Sequence, residues 1–510
     1  MSAIALEELT IEAVQKGFAD GSFTSAGLTQ AFLDRIALYE PFYNAFTFMN
    51  PGALADAEAA DARRAKGDSL GPLDGVPVVV KEAMDMVGFP STLGWRHLYS
   101  GAGGVDLAPE RDAPVVARLR AAGAVILGRT NIPAFSHDGA RANSSWDGPT
   151  FNAVNPATCP GGSSAGTATA VSGNFCLVGL AEETGGSIQN PAAAQSLVSV
   201  KPTFALVPNS GVAPLAGSTR DVVGPHARTA RDAALLLDVL AGYSVEDPKT
   251  VAGIGKRPPG GYAAGLETAT LAGARVGLYG PGWRDQPLSP ETAALYARAK
   301  AELKAAQAAL VEDPFAGSGF AELADPQAKF DNRGLESMAW DMDLYLRRLG
   351  PKAAARNLAE LKALVPDPFA DPKLLGEHPP VRPVLARSLA DPATPPDLSG
   401  FLAVREAYIA VFDRVMGEAR LDALAFPQSW AEPPGVFDSE DYPATTVSEI
   451  NIAGLPGVTV PAGRYASGAP FSLILVGRMW QEGRLLALAH AYEQVGRHRI
   501  APALKTAPFA

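Results

Sequence analysis

The sequence predicts an α/β protein, because short apolar strands alternate with amphipathic helices near both ends of the chain. Residues 76–80 (VPVVV) form a mostly β-branched run of the kind found in buried strands. A helix predicted over 114–122 is followed closely by an apolar strand over 124–127. Near the other end, a strand over 473–477 precedes a helix over 481–496. Helices and strands at this short spacing are typical of layered α/β folds.

Helical periodicity accounts for much of the remaining chain. The first helix is predicted by Leu28, Phe32 and Ile36, which recur every four residues after a capping Thr24 or Ser25. The other segments that we expect to be helical are 56–66, 230–241, 290–312 and 331–362. Residues 365–396 are rich in proline and show no clear period.

Composition excludes several classes of protein. The 510 residues carry 43 Lys and Arg against 54 Asp and Glu, and 47% of them are hydrophobic. This apolar content excludes disorder, and the acidic balance argues against nucleic acid and anionic membranes as partners. No run of about 18 apolar residues predicts a membrane span. The first residues lack the basic segment of a secretory signal, so we expect a cytoplasmic protein.

Metal and cofactor chemistry have no motif in the sequence. Two cysteines, Cys159 and Cys176, exclude a disulfide framework and a four-cysteine zinc site. The histidines lack H-E-x-x-H or another close ligand spacing, and they are His97, His137, His226, His378, His490 and His498. Neither a P-loop nor a G-x-G-x-x-G element is present. We therefore expect no metal and no cofactor.

One short motif offers a nucleophile. Residues 162–166 (GSSAG) fit G-x-S-x-G, the nucleophile elbow of α/β-hydrolase esterases, with Ser164 as the attacking residue. That motif needs a strand leading into it, whereas 155–160 holds two prolines and no β-branched run. An esterase that uses Ser164 is therefore an alternative with weak local support.

Two Gly-Gly-Ser tripeptides, at 161–163 and 185–187, lie on either side of a predicted helix. Glycines before a serine allow the backbone N–H groups to converge on one point, which is how an oxyanion is held. A non-hydrolytic binding protein could use the same loops as an anion nest, and this alternative also stays open.

The ordered motifs of the chain resemble the amidase signature family of Ser–Ser–Lys hydrolases. They are GVPVVVK (75–81), AGAVILGRTNIP (122–133), PGGSSAG (160–166), ETGGSI (183–188), VKPT (200–203), NIAGLP (451–456) and LVGR (475–478). The resemblance covers roughly residues 5–245 and 405–495. It implies one domain over 1–510, with a single large mixed sheet surrounded by helices. We expect the unmatched segment 290–400 to be an inserted helical cap that forms part of the substrate pocket.

The resemblance also implies roles for individual residues. Lys81 is expected to be the general base, Ser163 a bridging serine in a cis peptide, and Ser187 the nucleophile. The backbone N–H groups expected to form the oxyanion hole belong to Thr184, Gly185, Gly186 and Ser187. In this scheme Ser187 attacks the carbonyl, Ser163 relays its proton to Lys81, and water hydrolyses the acyl-enzyme.

The chemistry requires a neutral amine. Lysine titrates near about 10.4 in water, and a catalytic base near 7–8 needs roughly 4 kcal/mol of destabilisation of its charged form. The apolar run that leads to Lys81 offers the desolvation that produces such a change.

The sequence departs from the family pattern beside the nucleophile. The family commonly reads Gly-Thr-Asp-Thr-Gly-Gly-Ser-Ile-Arg, whereas residues 181–189 read AEETGGSIQ. The usual acidic and arginine support is replaced by Glu183 and Gln189, and Glu82 follows Lys81 where Asp is more common. These changes leave the substrate open.

Small carboxylic amides, anilides, esters and carbamates all fit this chemistry, with water as the second reactant. Urethanase and aryl acylamidase activities are both compatible with it. We expect substrate contacts from Gly161, Gly162, Met338 and Trp340, with Phe330, Met342 and Tyr345 as further pocket candidates. Spacing of Met338, Met342 and Tyr345 on one helical stripe is equally typical of core packing. A tRNA amidotransferase subunit is a third alternative, which would need partner subunits, whereas a hydrolase is expected to be a monomer or homodimer.

Overall fold

One mixed β-sheet organises the protein. The computed structural model describes residues 4–325, 331–371, 374–375 and 388–509. Within these residues eleven strands form a single sheet. They are β1 (Phe46–Met49), β2 (Pro77–Lys81), β3 (Val125–Thr130), β4 (Val178–Glu183), β5 (Val198–Lys201), β6 (Val222–Ala227), β7 (Arg275–Leu278), β8 (Ala309–Val311), β9 (Ala423–Pro427), β10 (Gly457–Arg464) and β11 (Pro470–Val476). The predicted large mixed α/β sheet is confirmed.

Helices surround this sheet. They are α1 (Ile11–Ala19), α2 (Ser25–Tyr43), α3 (Ala53–Ala65), α4 (Pro114–Ala121), α5 (Ala165–Ser172), α6 (Gln189–Ala194), α7 (Ala230–Leu240), α8 (Pro290–Ala305), α9 (Met338–Leu349), α10 (Leu358–Leu364), α11 (Ser399–Glu418), α12 (Ser448–Ala453) and α13 (Glu482–Gly496). Thr24 caps α2 as predicted, because its side chain accepts a hydrogen bond from the N–H of Gly27. In the described part of the chain, no helix is long and apolar enough to cross a bilayer.

The strand order is β1-β3-β2-β4-β6-β5-β10-β11-β9-β7-β8. β2 lies between β3 and β4 and is parallel to both, whereas β4 and β6 are antiparallel. Strands covered on both faces are apolar throughout, and every residue of β2 is buried. Pro77 is tolerated because it is the first residue of its strand. The carboxyl ends of β2 and β4 therefore meet at one edge of the sheet, and polar residues stand at that edge.

Two predicted helices are wrong in part. The helix expected over 290–312 ends at Ala305, Gln307 adopts a positive φ of 66°, and residues 309–311 form β8. β8 pairs with β7, and this long-range pairing overrides the helical propensity of the segment. The first part of segment 290–400 therefore extends the main sheet.

The helix expected over 331–362 is interrupted. A 3₁₀ turn over Leu335–Ser337 precedes α9, which ends before Gly350, and α10 begins only at Leu358. Gly350 has a φ of +104° and Pro351 follows it, a combination that ends helices.

Candidate active site

Lys81 lies at the carboxyl end of β2 and is completely buried. Its Nζ is 2.7 Å from Ser163 Oγ, so the structure brings together the predicted base and the predicted bridging serine. Burial penalises the ammonium form and holds the pKa of Lys81 below its ordinary value. The Lys81 amine is therefore placed and tuned to exchange a proton with a hydroxyl.

Glu182 is the second partner of this amine, and the sequence motifs did not point to it. The Lys81 Nζ donates to Glu182 Oε1 at 2.7 Å and approaches the Glu182 carbonyl oxygen at 3.3 Å. Glu182 is 3% exposed on β4, beside β2. A carboxylate near the end of a buried strand needs a partner, and this was the signal that could have identified it.

Ser163 lies on a segment that packs closely against other backbone. The Gly162–Ser163 peptide bond is cis, the geometry that the resemblance implies. Gly161 has a φ of +72°, and a Cβ there would overlap the Cα of Pro191 in α6. A Cβ on Gly162 would overlap the carbonyl oxygen of Asp138. Close approach thus explains both glycines, and contact of either with substrate stays a prediction.

Ser187 lies on the turn between β4 and α6, and it is 6% exposed. Its hydroxyl makes no hydrogen bond to any residue that the structure describes. In the same described part, the N–H groups of Gly185, Gly186 and Ser187 donate no hydrogen bond either. A φ of +93° at Gly186 turns the backbone at this point. The turn thus presents a hydroxyl together with free donors, as an oxyanion site requires.

Glu183 anchors this turn. Its carboxylate accepts hydrogen bonds from the N–H of Ile188 at 2.7 Å and of Gln189 at 3.1 Å. Gln189 Nε2 and Asn451 Nδ2 donate to the other carboxylate oxygen. Two side-chain amides therefore supply the support that arginine commonly gives in the family pattern.

Thr184 is fixed from the other side. Its hydroxyl donates to Asp221 Oδ1 at 2.6 Å, and its carbonyl accepts from Arg220 Nε at 3.2 Å. Burial raises the pKa of Asp221 to about 7, and the nearby Glu182 carboxylate adds to this effect. Asp221, Glu182 and Lys81 therefore form one buried group of titratable side chains.

The arrangement required by a Ser164 esterase is not found. Ser164 is buried at the start of α5, no strand leads into it, and its hydroxyl donates to the Glu182 carbonyl at 3.3 Å. His226 Nε2 instead contacts the Ile188 carbonyl oxygen at 2.8 Å. Burial lowers the pKa of His226 to about 4, which keeps the imidazole neutral near pH 7.

The predicted pocket residues on α9 lie in different environments. Met338 is buried in an apolar cluster together with Met342 and Tyr345, which is the core-packing arrangement. Trp340 is partly exposed, and Phe330 falls outside the described residues. Substrate contact by Met338 and Trp340 stays a prediction.

A cavity of about 480 Å³ lies near the loop that supports Ser163. Trp146 of this cavity is on the same loop as Asp138, whose carbonyl faces Gly162. The side chains that line the cavity include Trp95, Trp146, Arg96 and Asp371. The cavity wall is therefore partly aromatic and partly charged.

A metal centre is not seen in the described residues. Among them, no group of three or more His, Cys, Asp or Glu side chains is placed to hold a metal ion.

Comparisons with known proteins agree with this geometry. The family model described as Amidase matches residues 27–322. The glutamyl-tRNA(Gln) amidotransferase subunit of this type from Methylococcus capsulatus is 33% identical, over 95% of this chain and 96% of that protein. Its counterpart from Roseiflexus sp. is 31% identical, over 96% of this chain and 97% of that protein.

Solved structures show the same fold. A peptide amidase in complex with the competitive inhibitor chymostatin has a TM-score of 0.78 and 30% identity, covering 97% of this chain and 99% of that chain. The native peptide amidase from Stenotrophomonas maltophilia has a TM-score of 0.76 and 29% identity, covering 98% of this chain and 99% of that chain.

Proposed function

The chain belongs to the amidase family, whose members act on C–N bonds, and on that basis we propose that it is a serine hydrolase of small amides or carbamates. The observation that carries the proposal is the 2.7 Å contact between the buried Lys81 amine and the Ser163 hydroxyl. A serine hydroxyl is a weak nucleophile until a base takes its proton, and a neutral lysine is such a base.

The proposed reaction has two half-reactions. In the first, Ser187 Oγ attacks the carbonyl carbon while its proton passes to Ser163, whose own proton passes to Lys81. The developing oxyanion accepts hydrogen bonds from the N–H groups of the 184–187 turn. The C–N bond then breaks, and the proton returns through Ser163 to the leaving nitrogen. In the second half-reaction, water attacks the acyl-enzyme by the same proton route and releases Ser187.

An aromatic group in the substrate is the finer part of the proposal. Trp95 and Trp146 offer flat apolar surfaces to an aryl group, as in an anilide or an aryl carbamate. A fully apolar pocket would not explain Arg96 and Asp371, which offer polar contacts at its wall.

We propose that the α9 region and residues up to 375 form one wall of this pocket, the part of the predicted cap that the structure describes. Arg220 supports this view, since its Nε reaches the Thr184 carbonyl while its Nη1 donates to the carbonyls of Asp331 and Arg333. Asp371 and Leu374 line the cavity itself.

The test is a panel of aliphatic amides, anilides, aryl esters and aryl carbamates. Wild type is expected to hydrolyse at least one class, and Ser187→Ala and Lys81→Met are expected to lose at least about 10³-fold in kcat/KM. Ser164→Ala is the matched control, because it removes a neighbouring buried hydroxyl outside the proposed proton route. Near-normal rates in Ser187→Ala or Lys81→Met would refute the assignment.

An amidotransferase subunit is the second candidate, and the 33% identity to such a subunit favours it. It would use the same residues to release ammonia from an amide, and it would depend on partner subunits. Hydrolysis of glutamine only after addition of such partners, with no activity of the isolated chain on the panel, would support this candidate.

A further inference from the structure

The Lys81 amine makes more contacts than a neutral base can donate to. Three oxygen atoms surround Nζ: Ser163 Oγ at 2.7 Å, Glu182 Oε1 at 2.7 Å and the Glu182 carbonyl oxygen at 3.3 Å. An ammonium ion has three N–H donors and could satisfy all three oxygens. A neutral amine has two N–H donors and one lone pair.

The chemistry of the three oxygens decides which contact uses the lone pair. The two oxygens of Glu182 are acceptors, a carboxylate and a carbonyl, and they can only receive N–H groups. The Ser163 hydroxyl is the one partner of the three that can also donate. In the neutral state both N–H groups therefore go to Glu182, and the lone pair is directed at Ser163.

We propose that Glu182 is the positioning residue for Lys81: it holds both N–H groups of the neutral amine and thereby aims its lone pair at the hydroxyl of Ser163. This inference rests on the proposed function, because it assumes that Lys81 acts as the base. Glu182 acts through Lys81 and does not itself touch the reacting carbonyl.

The sequence gives this role a specific origin. The family pattern commonly has threonine at the position of Glu182, and this chain has a carboxylate there. The longer side chain reaches the amine from β4, which is parallel to β2 and directly beside it. Near-complete burial of both partners keeps water from competing for the contact.

Glu182 also sets the strength of the base. Its negative charge stabilises the ammonium form and opposes the desolvation that lowers the pKa of Lys81. Other charges near the amine are Glu183 on β4 and Asp221 before β6, which act in the same direction as Glu182.

The remaining titratable groups on the neighbouring strands are paired or neutral. Arg129 of β3 forms an ion pair with Glu82, which directly follows β2. His226 of β6 is neutral near pH 7, because burial lowers its pKa to about 4. Glu182 is therefore the carboxylate whose removal should change the Lys81 amine most.

The two effects predict different results for two variants. Glu182→Gln keeps an oxygen at the position of Oε1 but removes the charge. The pKa of Lys81 should fall, so the acid limb of the pH profile should move to lower pH by about one unit or more. Glu182→Thr cannot reach Nζ, so the maximal rate should fall by at least about tenfold, and glutamine should preserve more of the rate than threonine.

The experiment measures the rate of inactivation by a fluorophosphonate between pH 5 and 10, which needs no knowledge of the substrate. The probe forms a covalent bond to the serine oxygen and expels fluoride, while the serine proton passes to the base. Glu482→Gln is the control, because Glu482 is likewise buried and accepts a hydrogen bond from the Thr203 N–H, but it contacts neither Lys81 nor Ser163.

An acid limb of Glu182→Gln that coincides with that of wild type would overturn the inference, as would a Glu182→Thr variant with the maximal rate of wild type. Failure of the proposed function is distinguished from this result, because it would appear as undiminished labelling of Ser187→Ala. If labelling requires Ser187 and the acid limb is unaffected by Glu182→Gln, only the positioning role fails.

Discussion

Lys81 is subject to two opposing effects on its charge. Burial in a strand that is apolar on both faces disfavours the ammonium ion, while the contact with Glu182 favours it. Because burial is the larger effect, the pKa of Lys81 lies below its ordinary value, and the amine is neutral over a wider range of pH.

This balance predicts the pH dependence of the reaction. The proposed base works only when it is deprotonated, so kcat/KM should fall as pH falls through the pKa of Lys81 and should reach its maximum above it. The midpoint should lie below the ordinary lysine pKa. A pH profile of kcat/KM on the best substrate of the panel measures it. A rate that rises towards acid pH would contradict a neutral lysine base.

Gly161 is a second residue with a clear consequence. Its φ of +72° and the overlap of any Cβ with Pro191 leave no room for a side chain. Gly161→Ala should cost at least about 2 kcal/mol in the free energy of unfolding and should reduce activity, because Ser163 follows two residues later. Thermal unfolding and the hydrolysis assay measure both effects.

Gly400→Ala is the control for this change. A Cβ at Gly400, in the first turn of α11, has nothing within 4 Å, so stability and activity should be kept. Equal stability of Gly161→Ala and wild type would show that the backbone around Ser163 has room for a side chain.

Sequence patterns identified some of these residues and not others. Lys81, Ser163 and Ser187 could be predicted because each lies in a motif that resembles a known family. Glu182 could not, since successive residues of a strand point to opposite faces and the pattern does not show which of two adjacent glutamates faces Lys81. That choice depends on the pairing of β4 with β2, a long-range feature.

The turn between β4 and α6 is held by contacts from several elements. Glu183 at the end of β4 accepts hydrogen bonds from N–H groups at the start of α6, and His226 of β6 contacts the Ile188 carbonyl. Ser187 lies between these two anchors. The neutrality of His226 therefore matters for the stability of the turn.

His226 predicts a dependence of stability on pH. Its folded pKa of about 4 is below the ordinary histidine value of 6.5, so the folded state binds fewer protons than the unfolded state between these values. The contribution is complete above pH 6.5 and is lost as pH falls towards 4, by up to about 3 kcal/mol.

His226→Gln removes this titration while it keeps a side-chain N–H that can donate to Ile188. Urea unfolding at several pH values should show a smaller loss of stability in the variant between pH 6.5 and 4. Identical pH dependence in the variant and wild type would contradict a buried neutral imidazole.

Helices and strands were predicted correctly where local signals were strong. Thr24 and the four-residue repeat of α2 identified its start and its buried face, and the β-branched run identified β2. The helix predicted through residue 312 was wrong at its end because β8 forms only by pairing with β7, whose position the local sequence does not reveal.

Across the protein, the sheet assembles the site from distant parts of the chain. Lys81, Ser163 and Glu182 come from β2, the segment before α5, and β4. The alternation of helices and strands was sufficient to predict an α/β fold, but the order of eleven strands was not, because parallel and antiparallel pairings of distant segments leave no local mark.

This assembly predicts that the isolated chain is active. All of the proposed catalytic groups lie in one chain and one sheet, so purified protein should hydrolyse an amide, ester or carbamate without partner subunits. Size-exclusion chromatography followed by the panel assay on the single peak measures this. Activity that appears only after addition of other proteins would favour the amidotransferase candidate.

The proposed reaction depends above all on Ser187 as the nucleophile. Mass spectrometry of the protein after treatment with a fluorophosphonate, with peptide mapping of the modified residue, identifies the attacking serine. We predict one adduct per chain, located on Ser187, with labelling abolished in Ser187→Ala and kept in Ser164→Ala. An adduct on Ser164, or full labelling of Ser187→Ala, would show that Ser187 is not the nucleophile.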